Sequence, residues 1–210
     1  MNSINQKEIS RILIDWYQEN MRSLPWRESN DPYNIWVSEV ILQQTRVAQG
    51  LNYYLKFIDK FPTVYALAKS SEQELLKLWQ GLGYYSRARN LHAGAKSVVS
   101  LHNGKLPNTY KDILSIEGIG VYTAAAVLSI AYNKPYAVVD GNVYRVLSRL
   151  FAIDTPIDVS DGKKQFAKLA DSLLDEDRPG MHNQAVMEFG ALCCTPSQPL
   201  CETCPLEHLC

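Results

Sequence analysis

The sequence predicts an all-α protein, on three observations. Apolar residues recur at helical spacing over almost the whole chain. Runs that alternate apolar and polar residues, as half-buried strands do, are absent. The breaks between periodic segments are short and rich in proline, glycine and asparagine, which favour turns. We therefore expect many short helices joined by tight turns.

The individual helices follow from their apolar stripes and end signals. Residues 6–20 and 33–48 each carry one such stripe. Ser71 and Glu74 form a capping box ahead of the segment LLKLW, which predicts the start of another helix. Further helices are predicted at residues 85–101, 108–115, 121–132, 140–151, 161–175 and 181–193.

Length and composition limit the class of protein. At 210 residues, the chain allows one domain or two small ones, and 46% hydrophobic residues are enough for a buried core. The start is polar, and no apolar run approaches the ~20 residues of a membrane helix. We expect a cytoplasmic monomer. The net charge of −1 does not itself indicate a nucleic-acid binder, so that role requires basic residues on one face. The candidates, whose alternative is a solvated surface, are Arg22, Arg27, Arg46, Arg87, Arg89, Arg145 and Arg149.

Four cysteines near the end of the chain have the spacing C-x6-C-x2-C-x5-C. A 4Fe–4S cluster needs four thiolates, and the proline-rich segment between these cysteines is typical of a loop. Zinc is the first alternative, but its sites usually contain two short cysteine pairs and this segment contains one. Disulfides are less favoured because nothing marks the chain as secreted. The residues concerned are Cys194, Cys201, Cys204 and Cys210.

Two helix starts carry residues that can bind anions or stabilise cations. Gly118 and Gly120 flank a predicted turn whose following amides can bind a phosphate. On this segment alone, an ordinary helix–helix turn is the preferred explanation. Asp140 occupies the N-cap position ahead of an apolar stripe. It is either a cap alone or an ionised carboxylate that can stabilise a cationic sugar intermediate.

Two other segments carry residues that can act as a general acid or intercalate between bases. Glu39 lies among apolar residues, where desolvation raises the pKa of a carboxyl and suits it to general-acid catalysis; the alternative is an exposed surface glutamate. Gln43 lies one turn beyond Glu39 and Gln44 lies beside it, and these amides can reach base edges or face solvent. Leu82 and Tyr84 lie in a glycine turn beside arginines, so they can wedge into a base stack or simply pack a helix corner.

The order of these segments resembles the helix-hairpin-helix DNA glycosylases, and most closely the MutY-type adenine DNA glycosylases. The resemblance covers essentially the whole chain and rests on six motifs in order: LPWR, SEVILQQT, GLGYYSRARNLH, EGIGVYTAAAVLSIA, VDGNVYRVLSRL and the cysteine motif. It implies two helical subdomains with a DNA groove between them. A six-helix barrel corresponds to residues 24–134, and an iron–sulfur subdomain to residues 1–23 and 135–210.

The resemblance also implies an activity. Such enzymes flip adenine mispaired with 8-oxoguanine or guanine out of double-stranded DNA and remove it, leaving an abasic site. Glu39 matches the acid that protonates adenine N7, and Asp140 matches the aspartate that stabilises the oxocarbenium ion. Tyr122 matches a tyrosine that supports the intermediate, and Asn142 a polar partner near the sugar. The residues matched to DNA contacts are Gln44, Leu82 and Tyr84 around the mispair and Gly118 and Gly120 at the phosphate. The matched cluster ligands are Cys194, Cys201, Cys204 and Cys210, whereas Cys193 is additional and expected to be a small buried thiol.

Three details refine this expectation. Endonuclease III, a related enzyme, has a lysine where this chain has Tyr122, and a tyrosine cannot form the Schiff base that leads to strand cleavage. A monofunctional adenine glycosylase is therefore expected; a thymine or uracil mismatch glycosylase and a non-catalytic iron–sulfur DNA-binding module are the alternatives. Glu117 replaces the usual proline of the hairpin. The 8-oxoguanine-reading domain of MutY-type enzymes is expected to be absent, since the chain stops at Cys210.

Overall fold

A computed structural model of the protein describes residues 3–210, with side chains from residue 6 onward. Within this range the chain forms eleven α-helices and no strand, which confirms the predicted all-α class. The helices are α1 (Ser3–Asn20), α2 (Pro32–Leu42), α3 (Val47–Lys60), α4 (Val64–Lys69), α5 (Glu72–Trp79), α6 (Tyr85–His102), α7 (Tyr110–Leu114), α8 (Val121–Tyr132), α9 (Gly141–Leu150), α10 (Ser160–Leu173) and α11 (Pro179–Leu192).

The prediction of one helix over residues 33–48 is wrong. Helix α2 begins after Asp31, whose side chain accepts a hydrogen bond from the backbone amide of Tyr33 at 2.8 Å. It ends at Leu42, and the chain then turns through Gln44, whose φ of 55° is left-handed and cannot continue a right-handed helix. The apolar stripe continues past the break because α3 also packs against α2.

Contacts divide the chain into two compact units. The central unit comprises Ser23–Tyr132, and the terminal unit joins the residues up to Arg22 with Asn133–Cys210. In the central unit, α2 packs against α3, α6 and α8. Helix α5 begins at the predicted capping box, in which Ser71 and Glu74 exchange hydrogen bonds. The assignment of the units to a six-helix barrel and an iron–sulfur subdomain stays a prediction.

The terminal unit packs α11 against α1 and α9, with α10 covering α1 and α9. Its core is built from large apolar side chains, including Ile9, Leu13, Ile14, Phe166 and Phe189, each at most 2% exposed. Full burial of such a side chain stabilises the fold by roughly 1.5–3 kcal/mol relative to exposure. The unit therefore has a core of its own, on which the N-terminus of α9 is positioned.

A histidine is buried in this core and makes stability depend on pH. His182 is 3% exposed, and its Nδ1 lies 2.7 Å from the hydroxyl of Ser10. Burial lowers the pKa of His182 from 6.5 to about 4. Above pH 6.5 the ring is neutral in both states. As pH falls from 6.5 to about 4, the unfolded chain takes up the proton first, so the folded state loses up to about 3 kcal/mol.

We expect His182→Gln to flatten this part of the pH profile. Urea unfolding of the parent and the variant between pH 7 and pH 4 measures the loss in unfolding free energy for each. Carboxylates titrate equally in both, so the difference isolates the histidine. Equal losses in the two proteins would show that His182 is not held neutral by the fold.

Candidate functional site

Glu39 and Tyr122 meet within the central unit, where α2 packs against α8. Both side chains are partly buried. The hydroxyl of Tyr122 donates a hydrogen bond to Oε2 of Glu39 at 2.8 Å. The residues around Glu39 on α2 are buried and mostly apolar. A carboxyl fixed by a phenol at the edge of an apolar core has the restricted geometry that a general acid needs.

Asp140 is the N-cap of α9, as the sequence predicts. Its Oδ1 accepts from the backbone amide of Val143, and its Oδ2 accepts from Nδ2 of Asn142, both at 2.8 Å. The carboxyl is partly buried. These two hydrogen bonds fix the orientation of the carboxyl at the N-terminus of α9. An ionised carboxylate of fixed orientation can stabilise a neighbouring cation.

Arg145 connects the side chain that bonds this carboxylate to the cysteine segment, residues 193–210, and these contacts were not predicted from the sequence. Its Nη2 donates to Oδ1 of Asn142 at 2.8 Å and to the carbonyl of Gly190 at 2.6 Å. Its Nε donates to the carbonyl of Cys194 at 2.9 Å. A Cβ on Gly190 would lie 2.7 Å from Cβ of Asn142, so α9 and α11 approach this closely only because of the glycine.

Arg149, one turn further along α9, also supports the cysteine segment. Its guanidinium donates to the carbonyls of Thr195 at 2.7 Å and Pro196 at 2.9 Å, and it lies 3.4 Å from Sγ of Cys194. The thiol of Cys210 lies 3.8 Å from the carbonyl of Arg149. The spacing of Arg145 and Arg149 by four residues, on one face of a helix, is the sequence signal that points to this shared role.

Two of the cysteines are in direct contact. A side-chain hydrogen bond joins Cys193 and Cys204. Cys193 is 4% exposed, in agreement with a small buried thiol, and burial raises its pKa to about 12. The other four are partly buried or exposed thiols, and a purely sulfur donor set suits an iron–sulfur cluster. In the described part of the chain, no group of three or more His, Cys, Asp or Glu side chains is arranged to hold a metal ion. The cluster therefore stays a prediction.

Two turns of the central unit present exposed side chains on left-handed backbone. Gln44 (φ 55°) follows α2, and Tyr84 (φ 47°) precedes α6. Gln44 is exposed, and Tyr84 is 62% exposed. Leu82, two residues before Tyr84, is only 7% exposed. Gln44 and Tyr84 are accessible to DNA as they stand, whereas intercalation by Leu82 stays a prediction that requires it to leave its packed position.

The turn that contains Gly118 and Gly120 packs closely against α6. Gly118 has a φ of 81°, and a Cβ there would lie 2.7 Å from Cβ of Asn90. A Cβ on Gly94 would lie 2.5 Å from the carbonyl of Glu117. Gly118 and Gly120 are exposed, and α8 begins immediately after them. The exposed amides at the start of a helix can bind a phosphate.

The two predicted DNA-contacting arginines lie in different environments. Arg22 donates from Nε and Nη2 to the two carboxylate oxygens of Glu188 at 2.8 and 2.6 Å, and the Glu188 side chain is 1% exposed. This pairing raises the pKa of Arg22 above its ordinary value, chiefly through the hydrogen bond to Glu188. Arg27 ends a short helical turn, Pro25–Arg27, and is partly buried. Phosphate contacts by either residue stay predictions.

Among the described residues, no helix combines the length and the apolar character needed to cross a bilayer.

Comparisons with known proteins agree with the fold and the motifs. Residues 37–172 match the family model described as HhH-GPD superfamily base excision DNA repair protein. The chain is 46% identical to an adenine DNA glycosylase of Homo sapiens over 207 residues, which cover 94% of this chain and 38% of that protein. The chain thus spans well under half of this relative.

Solved structures extend the comparison over the whole chain. A thermostable thymine-DNA glycosylase is 30% identical, with a TM-score of 0.89, and the match covers 100% of this chain and 97% of that one. A trapped endonuclease III–DNA covalent intermediate matches with a TM-score of 0.83 over 100% of this chain and 96% of the other, at 22% identity, so it shows the shared fold alone.

Proposed function

Because this chain belongs to the HhH-GPD superfamily of base excision DNA repair proteins, we propose that it removes adenine mispaired with 8-oxoguanine or guanine from double-stranded DNA. The observation that carries this proposal is the 2.8 Å hydrogen bond from Tyr122 to Glu39, which fixes a partly buried acid. The 46% identity to an adenine DNA glycosylase supports the same base. The enzyme would flip the adenine out of the duplex, since the glycosidic bond is otherwise out of reach.

Each candidate residue then has a role in hydrolysis. Glu39 transfers a proton to N7 of adenine, so that the base leaves as a neutral molecule when the bond from N9 to C1′ breaks. Asp140 stabilises the positive charge that develops on the sugar, and Asn142 orients this carboxylate. Water then adds to C1′, the proton that it loses returns to the carboxylate of Glu39, and an abasic site remains. Tyr122 has no amine and forms no Schiff base, so the enzyme is proposed to be monofunctional.

DNA contacts are proposed for three segments of the central unit. The exposed amides at Gly118 and Gly120 would bind a backbone phosphate without reading sequence. Gln44 and Tyr84 would enter the base stack beside the mispair, because an aromatic ring can stack on any base.

We also propose that the four thiols of Cys194, Cys201, Cys204 and Cys210 bind a 4Fe–4S cluster that supports their loop. Protein purified without oxygen should be brown and contain iron and sulfide in equal amounts. Cys204→Ser should lose the visible absorbance and weaken folding or duplex binding. If it bound DNA normally but failed in the chemical step under single-turnover conditions, the structural role would be wrong. A colourless zinc protein would contradict the cluster.

A thymine or uracil mismatch glycosylase is the second candidate, favoured by the match over 97% of a thymine-DNA glycosylase. One assay separates the candidates. Duplexes bearing A:8-oxoG, A:G, T:G or U:G are incubated with the protein, and abasic sites are then cleaved with alkali. Cleavage of the first two supports the proposal. Cleavage of only T:G or U:G would overturn it in favour of the second candidate, and no cleavage would favour a DNA-binding module without activity.

A further inference from the structure

Arg87 reaches from the first turn of α6 to the end of α2. Its Nη1 donates to the carbonyls of Val40 at 3.1 Å and Ile41 at 3.2 Å, and it also donates to the carbonyl of Gln43. These carbonyls lie at the C-terminus of α2, where four carbonyls of any helix lack partners within the helix. Gln44 follows directly. Arg87 therefore fixes the backbone that carries Gln44.

The same guanidinium also contacts the glycine turn before α6. Its Nη2 lies 3.4 Å from the carbonyls of both Leu82 and Gly83 and donates to them. The indole Nε1 of Trp79 donates to the carbonyl of Gly83 at 3.0 Å. Tyr84 follows directly. One side chain thus joins two turns that are about forty residues apart in the sequence, and each carries an exposed candidate DNA contact.

The surroundings of Arg87 indicate a purpose beyond packing. Its guanidinium carbon lies 5.5 Å from the ring centre of Trp79 and 5.4 Å from that of Tyr84. Among the described residues, no carboxylate pairs with Arg87, and its buried Nε has no hydrogen-bond partner. Burial lowers the pKa of the guanidinium. An unpaired, partly buried cation is a costly way to stabilise a core that an apolar residue can fill.

Both turns also need support. Gln44 and Tyr84 are not glycine, yet both have positive φ, at 55° and 47°. Such backbone persists only where the surroundings determine it. The support that the structure gives to both residues includes hydrogen bonds from one guanidinium to the carbonyls just before them.

We propose that Arg87 is a positioning residue that couples the Gln43–Gln44 turn to the Gly81–Tyr84 turn, so that Gln44 and Tyr84 enter the duplex as one rigid pair. The DNA-contacting part of this inference rests on the proposed function, whereas the coupling of the two turns does not. The planar fork of an arginine can reach both sets of carbonyls at once, and the single ammonium of a lysine cannot.

Hydrogen–deuterium exchange tests the coupling without any activity. The amides of Thr45 and Leu82 report on the two turns, since each donates within its own turn at 3.1 Å. Arg87→Lys keeps the charge and should speed exchange of both amides by about tenfold. Arg89→Lys is the matched control. Arg89 lies on the same helix, is exposed and pairs with Glu72 at 2.7 Å. The substitution should leave exchange of both amides unchanged.

Three exchange results would overturn the coupling: no change, a change at one turn only, or equal acceleration of every amide of the central unit. The last would make Arg87 a residue that stabilises the fold. Arg87→Met keeps most of the length of the side chain and its packing on Trp79. It should also speed exchange of the amides of Thr45 and Leu82 together.

A fluorescence measurement tests the consequence for DNA. A duplex with 2-aminopurine in place of the target adenine, opposite 8-oxoguanine, brightens as that base unstacks. Arg87→Lys should reduce this increase at saturating protein by about tenfold, while the shape of the pH profile for release of normal adenine stays that of the parent, because Glu39 and Asp140 are intact. An unchanged increase would contradict the positioning role. If the parent released no base although the two amides accelerate together, the proposed function would fail and the coupling would stand.

Discussion

Glu39→Gln is expected to slow adenine release by about 10²- to 10⁴-fold, the range that general-acid catalysis supplies. Glutamine is close to glutamate in shape, and its amide oxygen can still accept the hydrogen bond from Tyr122. It has no acidic proton for N7 of adenine, so the base must leave as an anion. Single-turnover release from an A:8-oxoG duplex measures the loss, and duplex binding should persist.

The control is Glu72→Gln, which makes the same change at an exposed residue paired with Arg89. Surface pairs of this kind contribute little, so release should stay within about twofold of the parent. Near-normal turnover by Glu39→Gln would mean that another group protonates the base and that the general-acid role is wrong.

Asp140→Asn is the second large effect, expected at roughly 10²- to 10³-fold in the rate of release, comparable to the loss of one preorganised stabilising group. Asparagine is also a good N-cap, because its oxygen can accept from the amide of Val143 as the aspartate does. The negative charge that we propose stabilises the sugar cation is lost. In the parent protein, Nδ2 of Asn142 donates to the carboxylate of Asp140. In the variant, the new amide hydrogens can face this donor, and the hydrogen bond is then lost. Helix α9 should therefore form while catalysis fails.

A matched control for this change exists in the central unit. Asp31 caps α2 through a 2.8 Å bond from the amide of Tyr33, so Asp31→Asn keeps a cap while removing a charge. Its release rate should remain near that of the parent. If Asp140→Asn released adenine as fast as Asp31→Asn, Asp140 would be a helix cap and nothing more. Thermal unfolding of both variants shows that neither result comes from misfolding.

Local signals were enough to predict most of the helices and several of their ends, but α3 and α4 were not predicted as separate helices. The capping box at Ser71 and the N-cap at Asp140 use hydrogen bonds between residues three apart, and such short-range pairs can be read from the sequence. The break after Leu42 could not be predicted in this way. The carbonyls at the end of α2 are bonded to Arg87, more than forty residues further along the chain. The apolar spacing alone continues through the break.

The candidate site was predicted as single residues and not as contacts. Glu39 and Tyr122 were each identified by motif, but their hydrogen bond depends on the packing of α2 against α8. Arg145 was identified only as a candidate for a basic face, because an arginine on a helix is usually a solvated side chain. Only the fold brings the carbonyls of Gly190 and Cys194 within its reach. Spacing predicts which residues share a helix face, whereas their partners depend on tertiary packing.

The most direct test of the central claim is the identity of the base that leaves the DNA. The protein is incubated in excess with a duplex containing one A:8-oxoG pair, and the released bases are separated by chromatography and weighed by mass spectrometry. We predict free adenine in an amount equal to the alkali-labile sites formed, with an intact strand before alkali treatment. Alkali-labile sites without free adenine, or release of thymine or uracil alone from the matching T:G and U:G duplexes, would contradict the account.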